Sequence, residues 1–357
     1  MQRTLPGRDF HDPAVFEIER ERLFYRRWIC MGRAEELPNP GDFVTRDLLG
    51  ESVLLVRDRG KRLRAFYNVC RHRGSRLCGP GHGTLPGVIQ CPYHAWTYTL
   101  EGDLVGTPNV TELEGVDRAE YPLYGIPLEV WEGFFFVNLS PSPEPLARQL
   151  GTDGTAYARY CVGDLRLARL KTYECRANWK IIVENFNECL HCPTVHPELC
   201  EIMPLYQRGR VVEDDGFLGN RLPEGVSTWT RTGQSRVPAF PEITEEDRHT
   251  YWGFVVFPNM FVNLLPNVVT YEILWPETPD RTRVDYGFLF RPEAIAAPDC
   301  DGGDIIEFRD LVVRQDLAVC ERAHEGTRSR AYAHGILPPE DDAVYAFEQQ
   351  YLRERGG

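Results

Sequence analysis

Long hydrophobic runs are missing from this 357-residue chain. Its longest apolar stretches, such as residues 133–139 and 252–257, are far too short to span a bilayer, so no membrane partner is expected. The N-terminus, Met1-Gln2-Arg3-Thr4-Leu5-Pro6, lacks the apolar core of a signal peptide, and the expected location is the cytoplasm. No basic stripe offsets the net charge of −13, which argues against nucleic acid as a partner. The same charge is compatible with drawing in a cationic substrate. No dinucleotide fingerprint is found either: Gly79-Pro80-Gly81-His82-Gly83 does not open a helix, and no other glycine motif suggests NAD binding. Internal repeats and low-complexity tracts are absent.

Cysteine, by contrast, is plentiful. Eleven of them in an unexported chain point to a reducing compartment, where thiols serve as ligands or as buried apolar groups. The 42% hydrophobic and 26% charged content is ordinary for a soluble globular protein. The length allows two domains of about 100–200 residues each.

Residues 12–33 read as a helix, with Phe16, Leu23, Phe24 and Trp28 near helical spacing among Glu and Arg. From 41 to 138 the chain changes to short strand-like runs punctuated by Gly and Pro turns, a small antiparallel β domain. Residues 141–145 mark a plausible boundary. Beyond it, 178–191 looks helical. Strand-like runs follow at 252–256, 260–265, 268–275 and 283–290, and residues 304–325 show helical periodicity with Ile305, Phe308, Val312 and Val319 along one apolar face. The second domain is therefore expected to be α+β, an antiparallel sheet with long helices laid on one side.

Two groups of metal-ligand residue types stand about a hundred residues apart. Cys70-Arg71-His72 is followed, after eighteen residues, by Cys91-Pro92-Tyr93-His94. Two thiolates and two imidazoles in paired short loops suit a [2Fe–2S] cluster in which His replaces Cys on one iron. Structural zinc is the bland alternative, although a Cys-x-His pair is unusual for it. Between the loops, Cys78 reads as a packed free thiol and His82 as a surface residue. The second group is Glu188-Cys189-Leu190-His191-Cys192-Pro193-Thr194-Val195-His196. On a helix Glu188 and His191, three apart, share a face, and Asn185 would share it too. His196 follows Pro193 and can swing back to the same ion. Two imidazoles and one distant carboxylate suit a mononuclear ferrous site with open positions for oxygen. On residue type, Asp310, Asp316 and Glu321 all compete for the carboxylate. Asp316 lies four after Val312 and three before Val319, where an unpaired carboxylate is costly unless it binds a metal or a partner.

Cys70-Arg71-His72-Arg73-Gly74 with Cys91-Pro92-Tyr93-His94-Ala95-Trp96 resembles the Rieske signature, and almost the whole chain resembles the catalytic α subunits of Rieske non-heme iron oxygenases. The resemblance implies an α+β fold: an N-terminal all-β Rieske [2Fe–2S] domain at residues 39–142 and a helix-grip type catalytic domain at 143–357. Residues 1–38 would form a helical segment packing on the latter. It implies that Cys70, His72, Cys91 and His94 hold the cluster, that His191, His196 and Asp316 hold a mononuclear non-heme Fe(II), and that Glu188 acts beside it; Asn185, on the shared helix face, is a candidate to reach the iron's surroundings, with a plain helix-surface amide as the alternative. It further implies a homotrimer in which Glu188 bridges a cluster histidine, His94, of one subunit to His191 of its neighbour. A separate NAD(P)H-dependent flavin and iron–sulfur reductase would supply electrons, with O₂ and a small organic molecule as substrates.

Many members bridge with Asp; Glu188, the run Asn-Glu-Cys-Leu-His-Cys-Pro from Asn187 to Pro193, and Gln315-Asp316 resemble the subgroup acting on carnitine, glycine betaine and stachydrine. The implied reaction is hydroxylation or oxidative N-demethylation of a quaternary or methylated amine, the hemiaminal collapsing to formaldehyde. Aromatic-ring hydroxylation is the alternative; a Rieske electron carrier and a zinc-stabilised binding protein are more distant ones. Candidates for an aromatic cage around a quaternary ammonium are Trp252, Phe254, Phe257, Phe261, Tyr271 and Trp275.

Overall fold

The helix expected over residues 12–33 ends early in the computed structural model, which describes residues 2–108, 117–152, 155, 157–211, 219–297 and 302–356. Asp12 caps Pro13–Glu19 by accepting from the Ala14 amide at 2.9 Å, and Pro13 suits the first helical position, whose N–H has no partner anyway. One wider turn, Arg20–Phe24, follows. Ile29–Arg33 is instead a strand, buried at every position and paired antiparallel with Phe134–Val137. Consecutive buried residues fit a strand covered on both faces better than a helix with one apolar stripe.

The chain forms two units, residues 24–149 and residues 1–23 with 150–357. The expected division at 38/39 therefore moves to 23/24, because the Ile29–Arg33 strand joins the β unit. Within that unit a five-stranded sheet runs Gly125–Ile126, Leu63–Tyr67, Glu51–Arg57, Asp42–Leu48, Gly81–Thr84. Two three-stranded sheets accompany it: Leu128–Trp131, Phe134–Val137, Ile29–Arg33, and Val88–Gln90, Thr97–Thr99, Leu104–Gly106. Every paired neighbour is antiparallel. Gly102 turns the chain at φ +103°, and a Cβ there would stand 2.6 Å from the Phe66 ring, so only glycine fits.

The larger unit is built on a six-stranded antiparallel sheet, in order Arg166–Cys175, Arg281–Phe290, Val269–Thr278, Met260–Leu264, Thr250–Val256, Asn220–Arg221. The long helix Gly303–Thr327 is tied to this sheet by Arg309 Nε donating to the Tyr286 hydroxyl at 2.7 Å and by Tyr173 bonding Asp310. Its buried stripe continues through Leu317, Cys320 and His324, with Val319 only half-buried. The helix Trp179–Phe186 packs against it. Glu19 anchors the N-terminal helix: its buried carboxylate accepts from Trp179 Nε1 at 2.9 Å, Lys180 Nζ at 2.5 Å and the Tyr351 hydroxyl at 2.6 Å. No helix among the described residues is long and apolar enough to cross a membrane.

Candidate cluster site and metal centre

The two loops of the β unit repeat one backbone pattern. The Cys70 amide donates to Ser75 O at 2.8 Å and the Gly74 amide to Cys70 O at 3.1 Å. Likewise the Cys91 amide donates to Trp96 O at 2.8 Å and the Ala95 amide to Cys91 O at 3.0 Å. The fourth residue after each Cys adopts a left-handed conformation, Gly74 at φ +71° and Ala95 at φ +56°. The turns match in backbone, although His72 follows its Cys by two residues and His94 by three. The His72 and His94 rings lie 4.7 Å apart, and His72 stacks on Trp96 at 4.8 Å.

Cys70 and Cys91 are buried within the core formed by Leu54, Phe66, Ile89, Trp96 and Tyr98, while His72 is exposed and His94 half-buried. Burial raises the Cys70 thiol, against the Tyr98 hydroxyl that bonds its sulfur at 3.4 Å. Asn68 braces the segment after the first loop, its Oδ1 accepting from the Leu77 and Cys78 amides at 3.1 and 3.0 Å. Two buried thiols and two more accessible imidazoles are a donor set that would hold a [2Fe–2S] cluster. Cys78 is a buried thiol and His82 is exposed, as expected.

In the catalytic unit the helix expected over 178–191 stops at Phe186. Asn178 caps its start, accepting from the Lys180 amide at 3.1 Å, and Asn187 closes its end by donating to Val183 O at 2.8 Å. Glu188 and His191 thus lie in the irregular segment beyond it, and their contact comes from a turn in which the Leu190 amide donates to Glu188 Oε2. Cys189 and Cys192 are joined as a disulfide, whereas eight other described cysteines are free thiols, so the expectation of free thiols fails at this pair. Pro193 opens the short helix Cys192–Val195 and Pro197 the helix Pro197–Ile202, which leaves His196 at the corner between them.

His191, His196 and Asp316 are brought together. Asp316 Oδ1 lies 2.8 Å from His196 Nε2 and 3.2 Å from His191 Nε2. Both imidazoles present Nε2 to the same carboxylate oxygen, and both Nδ1 atoms are held from outside. His191 Nδ1 meets Glu188 Oε1 at 2.5 Å, and His196 Nδ1 meets Gln315 Oε1 at 2.8 Å. Gln315 is in turn fixed by its Nε2 donating to Glu198 Oε2 at 3.1 Å. Burial works against a charged ring at His191, yet the bonds from Asp316 and Glu188 push it up to about 9. Asp316 is held below the usual carboxylate range, because His191 and His196 outweigh its own burial. This corner favours positive charge, proton or metal ion alike, and two imidazoles with one carboxylate suit ferrous iron.

Cys192 Sγ is also near, 3.8 Å from His191 Nε2, but a sulfur already in a disulfide is no thiolate ligand. The rival carboxylates are engaged elsewhere. Asp310 pairs with Lys171 at 3.0 Å and Arg314 at 3.1 Å, and Glu321 accepts from both the amide and the guanidinium of Arg176 at 2.9 Å. The Asn185 amide stands 3.4 Å from both His191 ring nitrogens.

The triad opens onto a cavity of about 270 Å³, whose ring-bearing walls are Phe186, Tyr206, Trp229, Tyr251 and Phe261. Of the six aromatics expected from sequence, only Phe261 lines it. Sheet alternation is the reason: Tyr251, Gly253, Phe261, Asn263 and Glu272 share the cavity face. Trp252, Phe254, Tyr271 and Trp275 alternate to the other side. Trp252 and Phe254 pack on Tyr157 at 5.7 and 5.0 Å, and Trp275 bonds Asp285 at 2.9 Å. Phe257, past its strand's end, packs on Trp179 and Phe347. Sequence reading missed Tyr206, Trp229, Tyr251, Glu272 and Arg309, and marked Gln315 only as the neighbour of Asp316 in a family-like pair. Glu272 and Arg309 carried a usable signal: charged residues at positions whose periodicity buries them.

A β unit with paired Cys–His loops and a sheet-and-helix unit with a two-His, one-carboxylate corner define a Rieske-type oxygenase. Comparison with known proteins agrees. Residues 27–121 match the Rieske [2Fe-2S] domain, and residues 162–355 match the ring hydroxylating alpha subunit (catalytic domain). The carnitine monooxygenase oxygenase subunit of Escherichia coli K12 is 34% identical over 336 residues, 92% of this chain and 85% of that one. The glycine betaine monooxygenase oxygenase subunit of Chromohalobacter salexigens is 35% identical over 366 residues, 93% of this chain and 81% of that one. A solved quaternary ammonium Rieske monooxygenase, described for carnitine oxidation by gut microbiota and inter-subunit electron transfer, superposes with a TM-score of 0.80 at 28% identity. The match covers 99% of this chain and 96% of that one. The chain belongs to the ring-hydroxylating oxygenase α subunit family, and is a terminal oxygenase component that carries a Rieske [2Fe–2S] cluster and a mononuclear non-heme iron.

Proposed function

We propose that this oxygenase hydroxylates or oxidatively N-demethylates a small quaternary or methylated amine, using electrons delivered by a separate NAD(P)H-dependent reductase. The observation that carries the reading is the ring-walled cavity opening onto His191, His196 and Asp316. A quaternary ammonium offers no hydrogen-bond donor and is held by ring faces. Trp229 and Tyr251, 4.3 Å apart and tilted by 40°, and Tyr206, 6.1 Å from Trp229 and nearly perpendicular to it, supply such faces. The relatives named for carnitine and glycine betaine support the same class of substrate.

In this reading Cys70, Cys91, His72 and His94 hold the cluster, and His191, His196 and Asp316 hold the iron. Bound there, the two centres supply electrons and oxygen activation. The chain's own residues do the rest. Gln315 and Glu188 fix which nitrogen of His196 and His191 faces the metal. Asn185 places an amide dipole beside His191, and the aromatic walls hold the cation and keep water away from the reacting methyl. Glu188 is also the connection between centres, bridging His191 to His94 of the partner subunit in a homotrimer working in the cytoplasm.

The test is oxygen uptake and formaldehyde release with a generic reductase across betaines, carnitine and arenes. Formaldehyde from methylated ammonium compounds is the expected result. Oxidation of arenes alone would replace the reading with ring hydroxylation.

A further inference from the structure

Cys189 and Cys192 flank His191 in the run Cys189-Leu190-His191-Cys192. Both are buried, and both line the cavity beside the metal corner, so a small oxidant or reductant meets them from that cavity. The backbone brings them together without help from the sulfur bond. The Cys192 amide donates to Cys189 O at 3.0 Å, and the Leu190 and His191 amides both turn onto Glu188 Oε2. This turn sets the two Cα atoms 5.0 Å apart, within the range that a disulfide bridges. Opening the bond therefore leaves the turn in place, and closing it needs no backbone movement. As a staple the bond does little, because it closes a loop of only two intervening residues, where cross-linking gains least. Its position says more. Cys192 Sγ lies 3.8 Å from His191 Nε2, the nitrogen turned toward Asp316, and the ligand atoms of His191, Cys192 and His196 all lie within 4.8 Å of one another. Nitrogen and sulfur held by one divalent ion at about 2.1 and 2.3 Å stand roughly 3.1–3.6 Å apart, so a freed Cys192 sulfur is almost in place as a ligand. The third sulfur of the segment, Cys200, is engaged with the backbone: its thiol donates to Cys192 O at 3.4 Å, and burial pushes it up.

We propose that Cys189 and Cys192 form a reversible dithiol–disulfide couple that sets the ligands of the metal corner. In the disulfide state His191, His196 and Asp316 are the protein ligands; in the dithiol state the Cys192 sulfur joins them. A sulfur in a disulfide has no charge to offer a metal, whereas a freed thiol gives up its proton to solvent as it binds. The added sulfur takes one of the positions that two imidazoles and a carboxylate leave open for oxygen. Closing the couple removes two electrons and two protons from the thiols. With hydrogen peroxide as oxidant, its O–O bond breaks, the S–S bond forms and two waters leave. Opening it takes two electrons and two protons from a dithiol, which is itself oxidised to a disulfide. Cys192's role as a ligand rests on the assignment of His191, His196 and Asp316 proposed above; the existence of the couple does not.

The experiment uses the full chain with its cluster in place and Co(II) exchanged for the mononuclear iron. One sample is treated with hydrogen peroxide and another, under nitrogen, with dithiothreitol, each reagent then being removed. Alkylation after denaturation and tryptic cleavage reads the peptide from Ile181 to Arg208, which carries Cys189, Cys192 and Cys200. After peroxide Cys200 alone should be alkylated; after dithiothreitol all of them should be. Cobalt K-edge absorption, which does not see the cluster irons, should show a sulfur neighbour in the dithiol sample and none in the disulfide sample. Cys192→Ala should show no sulfur in either state, and Cys189→Ser, which leaves Cys192 without its partner, should show sulfur without any reductant; normal cluster absorption reports that both variants are folded. An alkylation pattern that neither reagent changes would overturn the couple, and so would a dithiol sample whose cobalt has no sulfur neighbour. Sulfur on cobalt in Cys192→Ala would overturn it too, since another cysteine would be the ligand. Should the protein take up no cobalt in either state, the ligand assignment falls and Cys192's role as a ligand with it, while the alkylation pattern still decides whether the couple exists.

Discussion

Replacing Gln315 by Leu isolates a contact that touches the iron only through His196. The side chain accepts from His196 Nδ1 at 2.8 Å and is itself held by Glu198 at 3.1 Å. His196 is 1% exposed, so water cannot take over the lost bond. Leucine has similar volume, leaving the packing nearly unchanged while the ring loses both its orientation and its acceptor. Removing the outer partner of a metal-bound imidazole typically costs 10–100-fold in metal affinity, or about 1.4–2.7 kcal/mol. Ferrous affinity of Gln315→Leu, measured by competition with a chelator, should fall by that factor while the visible absorption of the cluster is unchanged. Gln315→Glu alone would set a second carboxylate against Glu198, so the pair Gln315→Glu with Glu198→Gln, which keeps both bonds, should restore most of the affinity. Unaltered iron affinity in the leucine variant would refute the reasoning, because His196 would then be oriented by something else. A parallel loss of cluster absorption would also refute it, since the effect would be global.

Four further outcomes are expected. His94→Ala should bleach the cluster absorption, since an alanine cannot supply the imidazole; a normal spectrum would remove His94 from the ligand set. Asp316→Ala should lose the mononuclear iron and all turnover while the cluster stays reducible, and retained iron in metal analysis would count against the assignment. Glu188→Gln should keep both centres but abolish coupled turnover, measured as oxidation of pre-reduced cluster on adding substrate and O₂; near wild-type rates would mean the electrons take another route. Glu272→Gln addresses pH. A carboxyl raised to about 8 binds its proton more tightly folded than unfolded, so it takes stability away as pH rises from its unfolded value near 4.5 through 8. The variant's stability relative to wild type should therefore grow by up to about 4 kcal/mol between pH 5 and 9, and parallel denaturation curves at both pH values would contradict the burial argument.

The chemistry was legible in the sequence wherever ligands are close along the chain. Cys70 with His72, Cys91 with His94, and Glu188 with His191 and His196 are short-range sets, and local backbone turns suffice to present them. The strands of the catalytic sheet were legible for a similar reason, their apolar runs being continuous. The strand Arg166–Cys175 was not, because it is a largely solvent-facing edge with no apolar alternation. Nor was the strand Ile29–Arg33, whose apolar residues also fit helical spacing until its partner Phe134–Val137 claims them. Asp316 could be narrowed by sequence to one of three acids. The family resemblance singled out Asp316 among them, and the fold supplies the physical reason by giving Asp310 to Lys171 and Arg314 and Glu321 to Arg176. The cavity wall was decided wholly by tertiary structure. Whether Tyr251 or Trp252 faces the iron is a matter of strand phase, and phase is set by pairing with strands and helices distant in sequence.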